Sequence, residues 1–232
     1  MKPKRPLPVW FLGVAALSMP GALCLSLLLL SAESITALTE RIFWFQVPAA
    51  LVCFLSVFGG GTASVLYLKT RDYRYDDFAA AVNESVWLFA GVNVLAGLVW
   101  TRRALGFWWN WDAGVTSSVS LILIYVAYGI IRSATPVDRR GTISAVVCVF
   151  GMLDVPFIYL STHLFRARHA PPIGGGYSGL GAAGISALLV TSVAMLPLWW
   201  CIVTVRRSVE RLDRRSEGLA RSIYAMSVRG CG

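Results

Sequence analysis

Residues 44–68 read WFQVPAALVCFLSVFGGGTASVLYL, twenty-five positions without one Asp, Glu, Lys or Arg. A bilayer core about 30 Å thick is crossed by about 20 helical residues. In hydrocarbon the backbone must satisfy its own N–H and C=O groups, so a run of this kind spans as a helix. Working outward, five more apolar blocks follow the same logic: Trp10–Leu30, Phe78–Trp100, Val115–Ile131, Thr142–Thr162 and Leu180–Val205. The block from Val115 is the shortest, and Trp109 and Trp111 before it extend it into the interface. The sequence therefore predicts an all-α integral membrane protein, a bundle of about six transmembrane helices with both termini cytoplasmic. Its membrane domain covers 1–205, with a tryptophan-rich outer loop at 101–112, and a basic tail covers 206–232. Composition agrees: 56% of residues are hydrophobic and 14% charged, too few polar groups to coat a soluble domain.

Lys2, Lys4 and Arg5 precede the first block, as in a secretory signal peptide. The block is long for a signal, and five remaining spans would leave the termini on opposite sides. It is read as a helix.

The net charge of +9 suggests a nucleic-acid partner until its distribution is followed. With the N-terminus inside, the inner segments hold Lys2, Lys4, Arg5, Lys69, Arg71, Arg74, Arg132, Arg139 and Arg140. The tail adds Arg206, Arg207, Arg211, Arg214, Arg215, Arg221 and Arg229, leaving outside only Arg41, Arg102, Arg103, Arg166 and Arg168. This is a positive-inside pattern. The tail then reads as a short interfacial helix against anionic lipid, with no nucleic acid implied.

Five cysteines lie far apart, with no C-x-x-C and no C-x-x-C-H, which excludes a thioredoxin-like pair and a covalent c-type haem site. No nucleotide-binding glycine loop, Ser/His/Asp set or metal-ligand cluster marks an enzyme.

The outer segments carry the chemistry. Leu105-Gly-Phe-Trp-Trp-Asn-Trp-Asp112 places Trp108, Trp109 and Trp111 within four positions. Tryptophan gathers at interfaces because its ring is apolar and its N–H seeks water. Trp10, Trp44, Trp100, Trp199 and Trp200 fit such a belt. Three in four exceed it, and offer a flat aromatic surface to a planar ligand. Asp112 is placed to cap the fourth helix. Both histidines of the chain, His163 and His169, fall in the third outer segment, on the same side as the tryptophans. Imidazole is a common axial ligand of haem iron, and no third ligand joins the two for zinc. Arg41, Arg102, Arg166 and Arg168 share that side and suit propionate carboxylates or lipid headgroups equally.

The run Gly106-Phe-Trp-Trp-Asn-Trp-Asp-Ala113, followed by Thr116-Ser117, resembles the tryptophan-rich WWD signature of the cytochrome c maturation protein C (heme exporter protein C) family. Arg41-Ile-Phe-Trp-Phe-Gln-Val-Pro-Ala-Ala50 is similar to that family's R-I-x-Y-x-H-V-P-A-A, and Pro156, Ser161 and His169 match in order and spacing. The resemblance implies a carrier that holds haem b transiently at the outer face of the inner membrane, stacked on the tryptophans and clamped by two histidines. It also implies partners: ABC-type transporter subunits and a membrane-anchored haem chaperone of cytochrome c assembly. Within this reading the binding residues are Trp108, Trp109, Trp111, Asp112, Arg41 and Gln46, with His169 on the iron and His163 in reserve.

The chain departs from the pattern at telling places. Gln46 stands where the family has its first histidine, Gly114 where it has arginine, and Leu105 where it has tryptophan. Leu164 and Phe165 replace tryptophans before the second histidine, and His163 replaces an acid. Glutamine is no substitute for imidazole on iron, so a divergent scaffold subunit that ligates no haem is a competing expectation. A small-solute transporter is a weaker one: Glu84 and Asp154 are the intramembrane acids, with no paired broken helices beside them.

Overall fold

The computed structural model describes residues 8–29, 35–109, 111, 113–164 and 182–230. Six helices account for almost all of them: α1 (Val9–Leu29), α2 (Ile35–Thr70), α3 (Tyr73–Leu105), α4 (Ala113–Ala134), α5 (Val137–Leu164) and α6 (Ala182–Gly230). Five of these, α2 to α6, are long and apolar enough to cross a membrane. The 21 residues of α1 pack along α6. Each predicted block lies within one helix or overruns it by a residue or two, because the demand of lipid for about 20 apolar residues is strict.

The helix ends differ from expectation. α2 begins at Ile35, nine residues before the apolar block that opens at Trp44. The tail is not a separate interfacial helix. α6 passes through position 205 without a break and continues to Gly230. Its polar half is rich in helix-forming Arg and Glu, and acids of the bundle hold it in line. Arg206 pairs with Glu84, Arg211 with Asp77 (3.7 Å), and Arg214 with both Asp76 (2.6 Å) and Asp77 (2.7 Å). In return Glu210 meets Arg132 of α4 at 3.1 Å, and Glu217 meets Arg140 of α5 at 3.2 Å. Glu84, one of the two intramembrane acids, is thus taken by α6, and the Arg74 guanidinium lies 4.0 Å from Asp72.

At this basic end α2 turns into α3 through two residues. Arg71 adopts a left-handed φ of 57°, and its N–H closes on the Tyr67 carbonyl at 2.8 Å. Asp72 then caps α3 by accepting from the Arg74 N–H at 2.9 Å. The tight turn lays α2 against α3 along most of their length, and Gly60 lets them close. A Cβ there would overlap the Asn83 amide, which instead hydrogen-bonds Cys148 of α5 at 3.0 Å. In lipid, where apolar surface gains nothing from leaving solvent, such close approach and buried polar links hold helices together.

Trp199 provides a second link. Its indole N–H donates to Ser56 (2.8 Å) and Ser85 (3.2 Å), joining α6 to α2 and α3 inside the core. Trp199 is therefore no interfacial belt residue, and neither is Trp44, which is 1% exposed. Trp10 and Trp200 do face outward.

The basic end is read as cytoplasmic from its arginines. A reporter active only in the cytoplasm should work when fused after Arg229 and stay silent when inserted near Gly175. The reverse pattern would invert the protein in the membrane.

Candidate functional site

The opposite end of the bundle presents the tryptophans. Helix α3 stops at Leu105 because Gly106 takes φ 86°, a left-handed C-cap that residues with a Cβ rarely adopt. Arg102, one turn earlier, donates to the Gly106 carbonyl and so holds the helix end. The same guanidinium lies over the Trp108 ring, 5.9 Å from its centroid. Sequence reading offered Arg102 equally to propionates and to lipid headgroups. An arginine in the last turn before a glycine was the available signal that it also fastens the loop.

Trp108 is 59% exposed and Trp111 76%, and Trp109 is also on the surface. They do not form one flat plane. Trp109 and Trp111 meet edge to face, with centroids 5.0 Å apart and planes at 75°. A planar ligand can lie on one indole face while the other ring borders it. Asn110 and Asp112 fall outside the described residues, so the expected cap of α4 by Asp112 does too. The first turns of α4 instead show Ser117 and Ser118 donating back to the Gly114 carbonyl, at 3.2 and 2.8 Å.

Gln46 lies on α2 at this same end, half-buried, with its amide nitrogen over Gly97 of α3. Thr101, buried one turn further on, donates to the Gly97 carbonyl at 2.8 Å. Gln46 thus sits about 12 Å along the helix axis below the point where α3 gives way to the tryptophan segment, from eight residues at about 1.5 Å each. Below it, Ala50, Cys53, Ala90, Asn93, Ser118 and Ile158 help to line a crevice of about 20 Å³ among α2, α3, α4 and α5, room for about one water molecule.

Arg41 is in the second turn of α2 and His163 at the last turn of α5, while their side chains lie outside what is described. His169 falls outside the described residues altogether. The structure thus brings together Gln46, Gly97, Thr101, Arg102 and the tryptophan segment at one end of the bundle, on α2 and α3.

A sequence profile described as Heme exporter protein C matches residues 2–222, almost the full length. The chain belongs to the heme exporter protein C family. Among relatives, Heme exporter protein C of Bradyrhizobium diazoefficiens is 29% identical over 187 residues, covering 78% of this chain and 70% of that protein. Heme exporter protein C of Escherichia coli K12 is 24% identical over 132 residues, covering 56% of this chain and 53% of its own length. A putative cytochrome c biosynthesis ccmC-like mitochondrial protein of Marchantia polymorpha is 27% identical over 131 residues, 56% of this chain and 55% of that one. The matched region is thus about half the length of the last two. As a heme exporter protein C family member, the chain is a multi-pass membrane protein that exposes Trp108, Trp109 and Trp111 at one end of its bundle.

Proposed function

We propose that this chain binds haem b, transiently and without a covalent bond, at the outer face of the bacterial inner membrane and delivers it for c-type cytochrome assembly. The observation that carries this reading is the exposed set Trp108, Trp109 and Trp111, fastened by Gly106 and Arg102, in a chain of the heme exporter protein C family. Haem is cargo here, and the protein acts by holding and presenting it, with no bond made or broken in the ligand. An indole face takes the porphyrin by stacking, and each such ring buries about 150–250 Å². His169 supplies an imidazole to the iron, with His163 the alternative ligand, and Arg41 and Arg102 meet the propionates. ABC-type transporter subunits and a membrane-anchored haem chaperone are the expected partners. Lipid surrounds the bundle, and three of the seven tail arginines, Arg206, Arg211 and Arg214, pair with carboxylates of the bundle.

Replacing Trp108, Trp109 and Trp111 together by alanine should remove most haem from the purified protein and leave its membrane insertion intact. Unchanged haem absorbance would reduce the three rings to an interface belt. Gln46 favours a second reading, a scaffold subunit of the same assembly that ligates no iron, since an amide over Gly97 stands where the family carries imidazole.

A further inference from the structure

The three exposed tryptophans are not equivalent. Trp109 and Trp111 meet edge to face, so the edge of one ring already covers part of the other's face. Trp108 has a different neighbour. The Arg102 guanidinium lies over one of its faces, and 59% of the residue stays exposed. A cation over indole is held by the electron-rich ring face. That face is closed to a flat ligand, and the opposite one is left for it.

Arg102 is itself tied down. It belongs to the last turn of α3, and its Nη1 donates to the carbonyl of Gly106, the left-handed residue that ends the helix. One guanidinium therefore links the helix, its cap and the ring of Trp108. A planar guanidinium bonds in its plane and stacks on its face at once, which a compact ammonium does not. A ring ordered before the ligand arrives avoids the entropy loss of being ordered by it.

We infer that Arg102 is a positioning residue for the cargo, holding Trp108 as the main stacking ring with its far face turned to a flat tetrapyrrole. The inference rests on the haem reading above, and it gives Arg102 a task that does not depend on the propionates.

The test compares haem with its dimethyl ester, which keeps the ring and the iron and has no free carboxylate, on the full chain in detergent. Arg102→Ala should weaken binding of the ester as well as of haem, by about fivefold, the scale of an exposed cation–π contact. Trp108→Ala should weaken both by more, and adding Arg102→Ala to it should cost the ester nothing further. Arg102→Lys should recover part of the loss, because an ammonium still covers the ring. A loss seen with haem and absent with the ester would reduce Arg102 to a propionate contact and overturn the inference, leaving the haem reading in place. A loss that persists undiminished in the Trp108→Ala background would overturn it too, since it would then come from the helix cap. The ring contact is also read without cargo. In protein labelled with fluorotryptophan, the resonance assigned through Trp108→Phe should move in Arg102→Ala. An unmoved resonance would sink the inference, whereas a parent chain that takes up neither tetrapyrrole would count against the haem reading.

Discussion

Arg132→Ala is expected to cost about 3–5 kcal/mol of stability, the usual penalty for stranding one partner of a buried ion pair. The Arg132 and Asp76 side chains are 9% and 5% exposed. Their contact is two-pronged, at 3.0 and 3.2 Å, and the same guanidinium also reaches Glu210 at 3.1 Å. Removing it leaves Asp76 to Arg214 alone and frees one of the carboxylates that hold α6. Thermal denaturation in detergent should show a melting point lower by about 10 °C. Asp76→Asn should cost less, because Arg132 keeps Glu210 and Arg214 keeps Asp77. A melting point for Arg132→Ala within about a degree of the parent would mean that the cluster is solvated and adds almost nothing, as surface pairs do.

Haem should be lost when His169 becomes alanine, while His163→Ala should have the smaller effect. Imidazole is a strong axial ligand and the glutamine amide is not, so the protein should hold haem through one histidine. Gln46→His adds a second imidazole on α2 over Gly97, at the tryptophan end. It should tighten haem binding by about tenfold, or about 1.4 kcal/mol, and shift the absorption spectrum toward a six-coordinate, low-spin form. Wild-type haem content and spectrum in His169→Ala would discard the ligand assignment and favour the scaffold reading.

What was legible in the sequence is what lipid enforces. Blocks of about 20 apolar residues gave the spans, and the tryptophan segment stood out because three indoles in four positions exceed any belt. Register between helices was not legible. Composition placed both Trp199 and Trp200 at the interface, but adjacent helical positions point about 100° apart, and only Trp199 turns inward to Ser56 and Ser85. The same limit hid the ion pairs. The arginines of the tail were counted as charge facing lipid, because nothing local says that Asp76, Asp77 and Glu84 of α3 wait for them. In the site, Gln46 and the tryptophans were found from motif, whereas the cradle of Gly97 and Thr101 required the packed α2–α3 pair.

Those ion pairs also set an order of events during synthesis. Asp77 and Glu84 are made early, in the third helix, and the arginines that neutralise them belong to the last. Until α6 has emerged and inserted, the partner these acids of α3 have among the described residues is Arg132 beside Asp76. A chain cut short before Arg206 keeps the other helices and still exposes that unbalanced edge. The charge balance of α3 is thereby reached only when α6 packs against it.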